Sequence, residues 1–329
     1  MIFKCKNCSG NTVYSPELHA LYCPYCSSEN TGQRTCDAYQ IQTCPDCGGE
    51  LAIEEHTSAL RCKYCDNYII LNDRVEGEYQ PHKIIPFKFS KEMTKKLLRD
   101  NFKRCVFAPT DFLSEAKLDS MQGEYVPFWM YDYLTRCQYQ GEGVKIRSWR
   151  SGNTEYTETS YYTLERDFDL TYNDIPVDAS IKMNDNIMDL LEPYNYAELT
   201  EFSPEYMSGF GGEKYNMASE EVEFRAKDKM SKSAESFLSQ SVSGYSRVTQ
   251  RMKNINAQNN KTEYSLLPVW KYTYTYNDVI YPFYINGQTG KVVGKVPVSF
   301  KKVLAYGVSL WASLTGILLL GGYVLDRLI

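Results

Sequence analysis

Cys5-Lys-Asn-Cys8 and Cys23-Pro-Tyr-Cys26, then Cys44-Pro-Asp-Cys47 and Cys62-Lys-Tyr-Cys65, decide how this chain begins to fold. Fourteen residues separate the two CxxC pairs in each set, and the second set is the first displaced by 39 positions. A CxxC turn lets two sulfurs converge on one side of a tight knuckle. Two facing knuckles supply four thiolates to a tetrahedral ion, the arrangement of a zinc ribbon. A segment this short cannot bury enough apolar surface to fold alone. Metal binding supplies the missing free energy, on the order of 10–16 kcal/mol in comparable peptides. The copies match beyond their ligands: Gly10 with Gly49, Ala20-Leu21 with Ala59-Leu60, Tyr25 with Tyr64.

The expected ligand sets are therefore Cys5, Cys8, Cys23 and Cys26, and Cys44, Cys47, Cys62 and Cys65, with two Zn2+ per chain. An all-sulfur site also suits iron. Disulfides need an oxidising compartment, and residues 1–7 carry two lysines and no apolar signal core. Cys23-Pro-Tyr-Cys26 lacks the βαβ surroundings of a redox dithiol. The first knuckle is less ideal than the third: Ser9 follows Cys8, whereas Gly48 follows Cys47. His19 and His56 are spare polar residues on this reading, and Cys36, Cys105 and Cys137 are ordinary thiols.

Charge narrows the partner class. Residues 1–80 hold six Lys/Arg against eleven Asp/Glu, a balance of −5 that equals the −5 of all 329 residues. Affinity for nucleic acid comes from Lys and Arg displacing counterions, so an acidic ribbon pair is a poor phosphate binder.

The far end points to a membrane. Val303 to Leu325 is 23 residues without a charge. As a helix it spans roughly 35 Å, enough for a hydrocarbon core of about 30 Å. Lys291, Lys295, Lys301 and Lys302 precede it, and Arg327 beside Asp326 follows. That asymmetry places the N-terminal body in the cytoplasm, with residues 301–329 as a tail anchor of the cell membrane.

The expected order is an α+β fold: ribbon 1 (1–35), ribbon 2 (36–80), α+β module 1 (81–200), α+β module 2 (201–300) and the anchor. Residues 66–83 read as a linker out of the ribbons. Ser90 caps a helix with the stripe Met93, Leu97, Leu98, Phe102 and Cys105. Ser219 caps another, with Val222, Ala226, Met230, Ala234, Phe237 and Leu238. Val126-Pro-Phe-Trp-Met-Tyr-Asp-Tyr133 recurs as Leu267-Pro-Val-Trp-Lys-Tyr-Thr-Tyr274. Two related modules follow, each a helix and then an antiparallel meander. Asn286-Gly-Gln-Thr-Gly290 reads as a hairpin turn with positive φ at Asn286, Gly287 and Gly290. Residues 203–218 and 250–263 read as mobile polar loops. Tyr156, Tyr161, Tyr162 and the run Tyr272, Tyr274, Tyr276 either form one face of a sheet or line a binding surface. No phosphate loop, GxSxG, HExxH or nucleotide fingerprint occurs, so no catalytic residue is assigned and the chain is expected not to be an enzyme.

Tandem ribbons, Pro-Phe-Trp and Pro-Val-Trp, Tyr284-Ile-Asn-Gly-Gln-Thr-Gly-Lys-Val292 and a C-terminal span together resemble bacterial membrane-anchored zinc-ribbon proteins of the transcription-factor-IIB type. Some are encoded beside homologues of phage-shock protein A. The resemblance covers most of the chain. It implies a non-enzymatic adaptor whose ribbons recruit cytoplasmic partner proteins, a phage-shock protein A homologue among them, in the envelope-stress response. Such ribbons are also similar to the zinc portion of a primosomal helicase, which makes a nucleic-acid-binding role in replication or transcription the alternative.

Overall fold

A computed structural model describes residues 1–29, 32–36 and 41–328, and the side chains of residue 36 and of 320–328 fall outside what is described. The first ribbon contributes β1 (Ile2–Cys5), β2 (Val13–Ser15), β3 (Ala20–Tyr22) and β4 (Gly32–Cys36). The second contributes β5 (Thr57–Arg61) and β6 (Tyr68–Ile70). The body then runs β7 (Lys83–Ile84), α1 (Lys91–Phe102), α2 (Glu115–Leu118), β8 (Gln122–Ser151), β9 (Thr154–Asp178), α3 (Asp185–Leu191), β10 (Thr200–Glu201), β11 (Gly211–Glu213), α4 (Ser219–Ser241), β12 (Arg247–Tyr276), β13 (Val279–Asn286) and β14 (Val292–Gly294). Helix α5 (Phe300–Leu328) closes the chain. The α+β class, the duplicated body and the terminal apolar helix are all present.

The two copies of the tryptophan motif share one ten-stranded sheet. They lie on the adjacent antiparallel strands β8 and β12, and Val126 faces Leu267, its own counterpart 141 positions on. A local two-fold axis passes between them. Pro127 opposes Leu266 just as Pro268 opposes Tyr125, and Trp129 opposes Tyr264 just as Trp270 opposes Gly123.

The halves interlock across that axis. The Trp270 indole N–H donates to the Phe89 carbonyl, just before the N-cap of α1 (2.9 Å). The Trp129 N–H donates to the Met217 carbonyl, just before the N-cap of α4 (2.9 Å). Tyr131 Oη donates to Ser219 O (2.6 Å) and Tyr133 Oη to Glu223 (3.2 Å), both in α4. Tyr272 Oη donates to Phe112 O (2.5 Å) and Tyr274 Oη to Asp111 (2.8 Å), in the segment after α1. Each motif therefore fastens the helical segment of the other half. A buried indole needs a partner for its N–H, and an orphan carbonyl at a helix start needs a donor. One bond meets both needs.

Strand alternation sorts the remaining core. On the helix-bearing face, Tyr131, Tyr133 and Cys137 pack on Val222, Ala226, Met230 and Ala234 of α4. On the other face, Val126, Phe128, Met130, Leu267 and Val269 pack on Met188 and Leu191 of α3. Tyr272 and Tyr274 are core residues, whereas Tyr156, Tyr161 and Tyr162 are exposed on the arm that β8 and β9 form. Cys137 is buried and Cys105 exposed.

Several expectations fail for identifiable reasons. Residues 250–263 are strand, not loop: β12 pairs with β8 from Arg247 to Lys271, and Ile255 and Ala257 are the apolar residues of that polar run that pack against the α4 cluster. A ladder of backbone hydrogen bonds fixes the conformation that side-chain composition does not announce. Within 203–218, β11 pairs parallel with β8 and antiparallel with β5, so it is a sheet member. Residues 66–83 are no linker. They hold β6, buried Leu71 and Val75, and Arg74, whose guanidinium donates to Glu54 O (2.6 Å) and Thr57 O (2.7 Å). Ser90 does cap α1, accepting from Met93 N. Met93 is exposed, because the buried face of α1 is Thr94, Lys95 and Leu98. The N-cap of α4 is Ala218, whose N–H donates to Glu221 Oε2 (2.9 Å), and Phe237 is half-exposed against Phe168.

The Asn286–Gly290 turn is interior rather than solvated. Among its residues only Gly290 has positive φ, at 75°. Asn286 is buried, donates to Leu191 O (3.0 Å) and accepts from Gln288 N and Thr289 N (2.9 Å each). Gly287 has no room for a side chain, since a Cβ there would lie 2.6 Å from the Phe87 ring.

The interlock makes a directional prediction. Trp270→Phe leaves the Phe89 carbonyl unpaired and costs roughly 1–3 kcal/mol. Hydrogen exchange should then rise in α1 while α4 stays protected. Trp129→Phe should do the reverse. Loosening of the tryptophan's own half in both variants would disprove the crossed arrangement.

Candidate metal centres

Four knuckles are built to one local plan. In the first, Cys5 N–H donates to Gly10 O (2.7 Å) and Ser9 N–H to Cys5 O (2.9 Å). The pattern recurs as Cys23–Ser28 with Ser27–Cys23, Cys44–Gly49 with Gly48–Cys44, and Cys62–Asn67 with Asp66–Cys62. The residue after each second cysteine takes the left-handed conformation: Ser9 at φ 58°, Ser27 at 57°, Gly48 at 72° and Asp66 at 61°. Only Gly48 adopts it without steric cost. Ser9 holds the same geometry as Gly48, so the first knuckle differs in residue type and not in shape. Gly10 and Gly49 matter for a different reason. A Cβ at either would collide with the ring of Tyr25 (2.6 Å) or Tyr64 (2.3 Å), which lies over the knuckle.

These turns bring the eight expected residues into two groups, Cys5, Cys8, Cys23, Cys26 and Cys44, Cys47, Cys62, Cys65, with all sulfurs of a group within 4.8 Å. Cys5 Sγ lies 3.7 Å from Cys26 Sγ, and Cys8 Sγ 3.5 Å from Cys23 Sγ. The matching separations in the second group are 3.7 Å for Cys44–Cys65 and 3.7 Å for Cys47–Cys62. A regular tetrahedron with metal–sulfur bonds of about 2.3 Å has edges of about 3.8 Å. The donors are thus spaced for a metal ion. Among the described residues His19 and His56 belong to neither group.

The sulfurs are electrostatically uneven. At Cys62 burial raises the thiol, but the Cys65 and Tyr64 backbone N–H groups and the neighbouring sulfurs prevail and bring it down to about 7. At Cys65 burial, joined by the sulfurs of Cys47, Cys44 and Cys62, outweighs the Asn67 backbone N–H and pushes the thiol up to about 12. At Cys26 the Ser28 hydroxyl and N–H lower the thiol. Crowded sulfurs share protons, so some ionise early and others late. A divalent ion replaces those protons, and acid returns them.

The ribbons are not pendant beads. Asp46, in the third knuckle, accepts from Lys4 Nζ of the first ribbon (2.6 Å) and from the Asn67 amide. Ile2 packs with Cys44, Leu51, Cys62 and Ile69 in one cluster. The pair is then sewn to the body. Ala59 of β5 faces Gly212 of β11. Tyr14 N donates to Ser208 O (2.7 Å), and Ser208 Oγ to Thr12 O (2.7 Å). Sequence spacing singled out all eight clustered cysteines but not this docking, whose contacts are 150 or more residues apart.

No family model matches the chain, and no solved structure matches it. It is 41% identical over 337 residues to the uncharacterized protein YdjG of Bacillus subtilis (strain 168), across 98% of this chain and 99% of that protein. The chain belongs to the same family as YdjG.

Two metal ions per chain are expected by elemental analysis. Cys62→Ser should remove one and leave the other, and Cys23→Ser should do the same for the opposite site. Metal should be released with proton uptake as pH falls. One ion in the unmodified chain, or loss of both from either variant, contradicts two independent centres.

Proposed function

We propose that this member of the YdjG family is a non-enzymatic adaptor of the cell membrane, whose zinc-loaded ribbons recruit a cytoplasmic protein. The observation that carries the reading is helix α5. From Phe300 to Leu319 its mean hydropathy is 1.5 and none of that stretch is buried in the body. A bare apolar surface of that length is costly in water and favourable in a bilayer. The lysines at 291, 295, 301 and 302 support an orientation with the body on the cytoplasmic side.

Zinc is the ion assigned to the centres. It takes four thiolates tetrahedrally, and a reducing cytoplasm keeps such thiols available. A site of four cysteines leaves no open coordination position, so the metal serves the fold rather than a reaction. The ribbons' cations are largely spent internally: Lys4 on Asp46 (2.6 Å), Arg61 on Asp66 (3.0 Å), and Arg74 on the Glu54 and Thr57 carbonyls. That supports a protein partner over nucleic acid. The resemblance to membrane-anchored zinc-ribbon proteins supplies the class of partner, a phage-shock protein A homologue, and the setting, the envelope-stress response. Anchoring raises the local concentration of any partner that also touches the membrane, so modest ribbon affinity suffices.

Crosslinking and purification from native membranes tests this. One dominant cytoplasmic protein is expected with the full chain. It should be lost with the double variant Cys44→Ser, Cys47→Ser, while the chain still fractionates with membranes. Recovery of nucleic acid with a steep salt dependence, or unchanged partner yield from the variant, would refute the adaptor reading.

A further inference from the structure

Helix α5 does not leave the body through a bare linker. Its entrance is held by the loop after α1. Ser299 N donates to Phe107 O (2.8 Å), and the Phe107 ring meets the Tyr306 ring edge-on at 5.5 Å. Tyr306 lies four residues beyond Lys302, or about 6 Å further along the helix axis. The headgroup layer on each side of a bilayer is about 5–8 Å thick. With the charged ends of Lys301 and Lys302 among the headgroups, the Phe107 ring reaches the boundary of the acyl chains.

The loop's composition suits that position. Lys103, Arg104, Cys105 and Val106 are all exposed, Val106 at 64%. Val298 and Phe300 beside the helix entrance are exposed at 62% and 75%. Of the cations here, Lys103 has a distant acidic neighbour in Asp100 (3.7 Å), and Arg104, Lys301 and Lys302 have no ion-pair partner among the described residues. A second apolar point lies at the start of β13, where Val279 and Ile280 are exposed. The paired strand β12 is tied to the segment after α1 through Tyr274 and Asp111 (2.8 Å).

We infer that residues 103–107 form an interfacial wedge that binds an anionic lipid surface: Val106 and Phe107 enter the acyl boundary, and Lys103 and Arg104 join Lys301 and Lys302 on the headgroup phosphates. The inference rests on reading α5 as a membrane span. The wedge adds a second point of attachment, which stops the body swinging about the helix and fixes which side faces the bilayer. Apolar insertion combined with a basic cluster is the two-signal logic of stable interfacial binding.

The full chain, carrying its metals, is reconstituted in nanodiscs of phosphatidylcholine alone or mixed equally with phosphatidylglycerol. Lipids brominated near the headgroup end of the acyl chain serve as quenchers. Val106→Trp places an indole on the loop, read as the difference from the parent chain. Trp311 within the span is read as the difference from Trp311→Phe. The introduced indole should lose about half its emission, more with phosphatidylglycerol than without, as expected for shallow interfacial burial. Adding Lys103→Glu and Arg104→Glu should abolish most of that loss and leave Trp311 quenched. An unquenched indole at position 106 beside a quenched Trp311 overturns the wedge and spares the span. Neither residue quenched overturns both. Quenching indifferent to charge reversal and to anionic lipid overturns the electrostatic part.

Discussion

Everything in the body depends on one exchanged hydrogen bond. Two indoles, 141 residues apart and related by a local two-fold axis, each satisfy the carbonyl that precedes the other half's helix. The tyrosines at motif positions 131, 133, 272 and 274 repeat the exchange. Neither half therefore owns its own helix. The strands alone would form an open antiparallel ribbon. The crossed clasps turn it into a sheet with helices fixed over one face and α3 over the other. Buried polar bonds of this kind are worth about 1 kcal/mol each, but breaking one strands a partner at greater cost.

The two four-cysteine clusters extend this frame rather than standing apart from it. Strand β5 of the second ribbon continues the body sheet through β11, and the first ribbon is held by Asp46 on one side and by Ser208 on the other. Met1, Phe3, Tyr14 and Leu21 share a core cluster with Phe87, Tyr125 and Phe210. An ion that orders a knuckle therefore orders one edge of the whole protein.

What the sequence made legible was local. CxxC spacing exposed both four-cysteine clusters because a knuckle is closed by hydrogen bonds spanning five residues, such as Cys5 to Gly10. The Ser9 irregularity looked like a weakness, yet Ser9, Ser27 and Asp66 occupy the conformation that Gly48 takes freely. The repeat around Trp129 and Trp270 was visible as a pattern, but its meaning was not, since the exchange joins residues 88 and 181 positions apart. Polar composition misled at 250–263, where a long strand is wetted on one face and needs few apolar side chains. Asn286 looked like a surface turn residue and is a buried hub. An Asn at such a turn reads the same whether its amide meets water or the Leu191 carbonyl.

The two-fold pairing of β8 with β12 also sets an order of assembly. A sulfur tetrad closes a loop of 18 residues, from Cys5 to Cys23, whereas bringing Val126 against Leu267 closes one of 141. The entropy of that longer closure is greater by about 2 kcal/mol, and contacts so remote in sequence form slowly. During synthesis the knuckles can gather their ions while the sheet still lacks half its strands. Leu267 precedes Phe300 by 33 residues, so the last strand needed for the central pairing reaches the exit only shortly before the apolar helix does. The central strand pairing and the apolar helix that follows it therefore emerge almost together, long after the cysteine knuckles.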